Sequence, residues 1–197
     1  METAHPNSSK EIQRLTNEIS VKKAELAQLI AQTKSKEIQD YLFLGSDEQA
    51  IKRSELFGEQ EELIVVFYMG YQCKYCTLWA DGYNDLHEHL NNRAAFAVVS
   101  HERTLFQQEL CKERNWKFPM YSRMENTFAE DLGFTKKEEK NRPLPGIATF
   151  LKKEDKIYLH HQTYFGPGDN FCIQWDILNI LPKGLNNWKP DYYYGGE

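Results

Sequence analysis

The chain has 197 residues, 41% hydrophobic and 27% charged, which suits one globular domain with a modest extension and a core that folds without disulfides or structural metal. Its formal net charge is −5 and no Lys/Arg run stands out, which speaks against nucleic acid or an anionic membrane as partner. No stretch approaches the ~20 apolar residues of a membrane span, and four cysteines after a polar start without a signal-like apolar segment do not resemble a secreted disulfide framework. A cytoplasmic location with reduced thiols is the expectation.

Residues 1–9 read as a disordered tail. From about Lys10 to Lys36, Ile12, Leu15, Ile19, Leu26 and Leu29 fall near one stripe of a helix, interrupted at Lys22. Such a helix is expected to lie on the domain or on a second subunit rather than to form a short coiled-coil arm, and a homodimer through it is one assembly this allows. The boundary between extension and domain is placed at residues 40 and 41, giving an arm 1–40 and a domain 41–197.

Tyr41 to Leu44 is a short strand ending at Gly45, and Ser54 to Phe57 a helical turn stopped by Gly58. Leu63 to Met69 is a continuous apolar run rich in β-branched residues, the pattern of a strand buried on both faces. Gly70 ends it, and a helix runs from Lys74 to about Leu90. Phe96 to Ser100 is a second buried strand and Thr104 to Asn115 the next helix, which together make a parallel βαβ unit. Phe118 to Ser122 reads as a short strand, Glu125 to Leu132 as a short helix stopped by Gly133, and Thr135 to Arg142 as a solvated loop. Ile147 to Leu151 and Lys156 to His160 form a hairpin around Lys153, Glu154 and Asp155. Gly166 to Asp169 is a turn into a last helix, Asn170 to Leu181, capped by Asp169 or Asn170. The aromatic tail, with Trp188 and Tyr192 to Tyr194, is expected to pack back on the domain. Parallel strands, then a hairpin, then a closing helix is the order of a thioredoxin-like α/β fold, a central mixed sheet flanked by helices, here with an N-terminal helical extension.

Cys73 and Cys76 carry the chemistry. They sit between a buried strand and the first turn of a helix, where free backbone N–H groups and the helix dipole stabilise a thiolate. A redox pair then works with Cys73 as nucleophile and Cys76, one turn deeper, as resolving thiol, on a protein or small-molecule disulfide or thiol and with no cofactor. Two plainer accounts compete: ordinary buried thiols on a binding scaffold, and a metal site with His87 and His89. The second is weak, because Cys76 and His87 are about 16 Å apart along a helix and the two histidines point to different faces. No metal is expected.

The buried strand followed by Cys73-Lys74-Tyr75-Cys76 resembles thioredoxins; the segments Cys73 to Tyr83, Ala97 to Ser100, Asn115 to Ser122, Gly146 to Phe150 and Gly166 to Asp169 resemble more closely a thioredoxin-like family catalogued as domain of unknown function eight hundred and ninety-nine. Its members are labelled predicted dithiol-disulfide isomerases or peroxiredoxin-like proteins. The resemblance spans nearly the whole chain and implies the fold and, less specifically, disulfide exchange. Thioredoxins place a buried Asp where this chain has Phe67, a Trp where it has Gln72, and Gly-Pro where it has Lys74-Tyr75. Their cis-proline opposite the cysteines corresponds to Pro145 or Gly146. A peroxiredoxin Pro and Thr would fall roughly at Met69 and Gln72, so peroxide reduction ranks second. A non-catalytic interaction module ranks third.

The candidate substrate contacts are Tyr75, Trp79, Pro145 and Gly146. Trp79 shares a helix face with Cys76 and either shields the disulfide or belongs to the core. Asp81 is expected to make a structural hydrogen bond. His101 is expected at the surface away from the site, and His160 and His161 on opposite faces of a strand. Cys111 is expected buried, and Cys172 either a partly exposed third thiol or a semi-buried bystander. Gly166 to Asp169 either rims a groove or simply turns the chain.

Overall fold

A computed structural model describes residues 9–123, 126–139 and 142–195; the expected tail before Ser9 and the expected helix start at Glu125 lie outside them. The chain divides into two compact units, up to Ser35 and from Lys36 on. The first unit is helix α1 (Lys10–Ala31), capped by Ser9, whose side chain accepts the N–H of Ile12. A lone helix cannot cover its own apolar stripe, and none of its residues is buried.

The second unit opens with β1 (Lys36–Ile38), β2 (Leu42–Leu44) and β3 (Ala50–Lys52), followed by a 3-10 turn at Arg53–Phe57. Then come β4 (Glu62–Phe67), α2 (Lys74–Arg93), β5 (Ala95–Ser100), α3 (Thr104–Arg114) and β6 (Met120–Ser122). The remainder is α4 (Phe128–Asp131), β7 (Thr135–Lys136), β8 (Arg142–Pro143), β9 (Gly146–Lys153), β10 (Lys156–Tyr164) and α5 (Ile173–Asn179). The main sheet has the order β1-β10-β9-β4-β5-β6-β2-β3. β5 runs parallel to β4 and β6, while β9 runs antiparallel to β4 and to β10. This is the expected thioredoxin-like arrangement, widened at both edges.

β4 is buried on both sides because its residues feed two separate cores. Leu63, Val65 and Phe67 meet Phe43, Phe57, Phe128, Phe134 and Phe150 on one face of the sheet. Val66 and Tyr68 meet Trp79, Tyr83, Phe96, Trp116, Phe118 and Trp175 on the other. The 3-10 turn and α4 cover the first face and α2, α3 and α5 the second.

Several elements depart from the sequence expectations. Thr135 to Arg142 is no simple loop, since β7 and β8 pair as a small separate sheet. The hairpin is longer at its open end than the alternation suggests and carries a bulge between Leu159 and His161, so strict alternation fails at the paired histidines. α5 is shorter than expected and begins after Cys172, so Asp169 does not cap it. The aromatic tail packs back as expected: the Trp188 ring lies 6.0 Å from Trp175, and Pro190 is buried. Among the described residues, no helix is long and apolar enough to cross a membrane.

Candidate active site

Gly70 ends β4's run with φ +122°, a backbone angle open to glycine and strained for other residues. Cys73 donates its N–H to the Gly70 carbonyl at 3.1 Å, which turns the chain tightly enough to make Cys73 the N-cap of α2. At an N-cap the side chain meets the unpaired N–H groups of the first turn. Here the cap atom is sulfur, and the Cys76 N–H donates to Cys73 Sγ at 3.1 Å.

The two sulfurs are not linked to each other in this structure, and their environments differ. Cys73 is half-buried and Cys76 buried. The Cys73 pKa is pushed down to about 7, first by a hydrogen bond from the Cys76 thiol, then by the backbone N–H groups of Cys76 and Tyr75, against the opposing effect of burial. Cys76 moves strongly the other way, because it donates that hydrogen bond, is desolvated, and feels the charge on Cys73. One sulfur is therefore prepared as a thiolate at neutral pH and the other is held as a neutral donor beneath it.

Behind the pair lie hydroxyls. The Tyr68 hydroxyl and Thr77 Oγ1 are 3.2 Å apart, and Thr77 donates to the Cys73 carbonyl at 3.2 Å. Burial drives the Tyr68 pKa well above the ordinary phenol, so it stays protonated. The thioredoxin carboxylate position holds Phe67, which faces the opposite core and stacks on Phe134 at 3.8 Å.

In front of Cys73 opens a groove of about 620 Å³, lined by Tyr71, Gln72, His101, Glu102, Arg142 and Pro143 among others. His101 and Glu102 correct the expectation that this strand end lies away from the site. They follow β5 at its carboxyl end, beside the end of the parallel strand β4 that delivers Cys73, and the carboxyl ends of parallel strands are where such crevices form. Glu102 also accepts the Tyr71 N–H at 3.4 Å. Arg142 carries no sequence signal for the site, since it reads as the end of a solvated loop and reaches the groove only through β8.

Of the expected substrate contacts, Tyr75 is half-buried and its ring lies 6.3 Å from Trp79 and 6.2 Å from Trp175. Trp79 is core: it is buried, packs on Phe165 at 5.1 Å, and donates Nε1–H to Asp169 at 3.4 Å. Asp169 also accepts the N–H groups of Gly166 and Phe171, so Gly166 to Asp169 is a turn locked by its own aspartate. Pro145 lies close to Trp79 and Cys76. Its peptide bond is trans, since no cis bond occurs among the described residues. Gly146 is buried, with a packing reason: an added Cβ would sit 2.4 Å from Phe134 Cε1 and 2.4 Å from the Thr163 carbonyl oxygen. Gly146→Ala is therefore expected to cost at least ~1–3 kcal/mol in urea unfolding. An unchanged midpoint would mean that β10 can yield at this point.

The other named residues are structural. Asp81 accepts from Arg114 Nε at 3.2 Å and from Trp116 Nε1 at 2.9 Å, as expected. Cys111 is half-buried, its thiol directed at Met120 Sδ, and its pKa is pushed up to about 11 by burial. Cys172 is buried rather than partly exposed. It donates to Gln174 Oε1 at 2.9 Å, and burial raises its pKa to about 11. His87 Nδ1 is engaged with the Asn84 carbonyl at 2.8 Å.

The family described as "Bacterial protein of unknown function (DUF899)" matches residues 3–194 of the chain. The chain belongs to this family. No match is found among curated proteins. Among solved structures, this family member is similar to the peroxidoxin BcpB of Mycobacterium tuberculosis (TM-score 0.57, 17% identity, 74% of this chain and 92% of that one). It is also similar to a PrxQ mutant of Xylella fastidiosa (TM-score 0.56, 13% identity, 71% and 90%). A third neighbour is the exposed lipoprotein thioredoxin Etrx1 of Streptococcus pneumoniae strain TIGR4 (TM-score 0.51, 13% identity, 72% and 100%). At these identities the likeness carries the fold of the family member and not its activity.

Proposed function

We propose that this protein is a thiol-disulfide oxidoreductase or isomerase, with Cys73 as nucleophile and Cys76 as resolving thiol. The observation that supports it most is the opposed ionisation of two sulfurs one helical turn apart: Cys73 at about 7 and open to a groove, Cys76 buried and protonated. The Cys73 thiolate attacks one sulfur of a substrate disulfide, and the other sulfur leaves as a thiolate and takes up a proton. Cys76 then loses its proton and attacks Cys73 Sγ. The mixed disulfide breaks, the Cys73–Cys76 bond forms, and two electrons have passed to the substrate. An external dithiol completes the cycle.

The test is equilibration of the full chain in glutathione buffers, acid trapping, and mapping of free thiols by mass spectrometry. A reversible Cys73–Cys76 disulfide is expected, and its midpoint would say whether the protein works as reductant or oxidant. A pair that never links would sink the reading.

A second reading is peroxide reduction, favoured by the peroxidoxin and peroxiredoxin neighbours and by Arg142, which lines the groove in front of Cys73 and pairs with Glu139 at 2.6 Å. A thiolate of the pair would take the distal oxygen of a hydroperoxide to become a sulfenic acid as the O–O bond breaks and the alcohol (or water) leaves with a proton from solvent, and the other cysteine would displace water to form the disulfide. Peroxide turnover in the presence of dithiol separates the two: a rate equal to or above that with disulfide substrates would put this reading first.

A further inference from the structure

We infer that Tyr192 is a positioning residue for the resolving half-reaction: with Tyr68 and Thr77 it forms a buried group of hydroxyls that steadies Cys76 as its sulfur becomes a thiolate. The inference rests on the dithiol reading above and adds to it the C-terminal segment of the chain.

That segment is strapped to the site. Lys74, which lies between the two cysteines, pairs with Asp191 at 2.8 Å. Arg114 Nη1 donates to the Tyr192 carbonyl at 2.7 Å, and its guanidinium lies 5.8 Å from the Tyr193 ring centre. Trp188 packs between Trp175 and Tyr194. Tyr192 thus sits between anchors on both sides. Its hydroxyl oxygen is buried and makes no well-aligned hydrogen bond among the described residues, although the Thr77 and Tyr68 hydroxyls are near enough to interact with it. It lies beside Thr77 and Tyr68 and within electrostatic reach of both sulfurs, and burial keeps the phenol protonated.

A buried O–H donor left without a well-aligned acceptor is unfavourable and calls for an explanation. The reaction supplies one. In the reduced state Cys76 is neutral and gives its S–H to Cys73. Once Cys73 is tied up in a mixed disulfide it can no longer accept that hydrogen bond, and Cys76 must ionise to attack. The acceptor missing from the resting site is a negative charge that exists only during resolution, where an unspent dipole accelerates the step rather than tightening the ground state. The surrounding charges are already committed: Lys74 to Asp191, and Arg114 to Asp81 and the Tyr192 carbonyl. The position that holds a buried Asp in thioredoxins is Phe67 here, turned to the other core, and it offers no group to take the Cys76 proton. That proton leaves to buffer, the Cys76 thiolate attacks Cys73 Sγ, and the departing thiolate is protonated from solvent.

The test uses the full chain with Tyr192→Phe, which keeps the ring and removes the hydroxyl, and dithiobis(nitrobenzoate) as disulfide. Cys73 attack releases one coloured thiolate and ring closure by Cys76 releases the second. The first phase and its pH midpoint are expected unchanged. The second is expected to slow about 10-fold, below the roughly 10²–10⁴ of a group that transfers the proton directly, and to shift its midpoint to higher pH. Tyr193→Phe, on the exposed neighbouring ring, is expected to leave both phases alone. An unchanged second phase in Tyr192→Phe, or an equal slowing of both phases, overturns the inference while leaving the dithiol reading in place. A wild-type protein with no second phase removes the dithiol reading itself, and the inference with it.

Discussion

At pH 7, Cys73 is expected to attack a small aromatic disulfide about 10²-fold faster than Cys111 does in the same molecule. With a pKa near 7, about half of Cys73 is thiolate at that pH, while Cys111, near 11, is about 10⁻⁴ thiolate. The ratio of attacking species is about 5 × 10³. Against this, a thiolate loses intrinsic nucleophilicity as its pKa falls, with a Brønsted slope of roughly 0.4–0.5, so about four pKa units cost roughly 40–100-fold. The net advantage is about 10². Both sulfurs are half-buried, so access does not decide between them. The pH dependence makes the claim sharper. Cys73 has at most about a twofold gain left between pH 7 and 9, whereas Cys111 gains about 100-fold, so the ratio collapses to a few-fold at pH 9. Cys76→Ala removes the thiol that contributes most to the lowered Cys73 pKa and should move the Cys73 midpoint upward; Cys76→Ser keeps an O–H donor and should move it less. Both variants should accumulate the Cys73 mixed disulfide. Stopped-flow measurement with mass-spectrometric assignment of the modified cysteine checks each point, and equal rates for Cys73 and Cys111 at pH 7 would remove the case for an activated thiol.

The sequence makes the centre of this fold legible and its edges much less so. The runs forming β4 and β5 are continuously apolar and β-branched because both of their faces are covered, and nothing else in the chain has that pattern. The place of Cys73 follows from them, since a strand end, a glycine and a helix start leave a cap position to fill. β1 and β3 are short, with sequences Lys-Glu-Ile and Ala-Ile-Lys and mostly exposed residues. Edge strands of this kind are made by pairing to a neighbour, and pairing leaves no periodic mark in three residues. The groove is hidden for a related reason. His101, Glu102 and Arg142 come together near Cys73 only through topology, and each alone reads as a solvated polar residue. Cys172 follows the bystander reading rather than that of an exposed third thiol: the last helix begins at Ile173, later than expected, and Cys172 before it is buried. Tyr192 is the extreme case: an aromatic tail announces that it packs somewhere, but only the anchors at Lys74 and Arg114 say that it packs beside the first turn of α2.

Arg53 is expected to show how far the fold can be disturbed without touching the chemistry. Its side chain is fully buried, with the guanidinium 5.3, 5.7 and 5.4 Å from the ring centres of Tyr41, Phe128 and Phe150. It donates to the Gln39 carbonyl, while its Nε and Nη1 find no partner among the described residues, and burial holds its pKa below the usual arginine range. Much of what the residue contributes is therefore volume and ring contact rather than paired charge. Arg53→Ala empties that volume and leaves the Gln39 carbonyl without its donor, an expected loss of about 3–5 kcal/mol. That is a large share of the ~5–15 kcal/mol of an ordinary domain. Arg53→Met fills the space, removes the desolvated charge and its two unpartnered nitrogens, and orphans only the carbonyl. It should fall within about 2 kcal/mol of wild type, because replacing a buried charge with a well-packed apolar side chain is commonly neutral or better. Urea unfolding compares the variants, and an Arg53→Met as damaged as Arg53→Ala would show that the charge itself is needed. Arg53 joins the Phe128 and Phe150 core, and the cysteines belong with Trp79 and Phe165 on the other face of the sheet. Folded Arg53→Met should therefore keep the Cys73 rate and pH midpoint of wild type, since β4 separates the two cores and passes neither charge nor cavity between them.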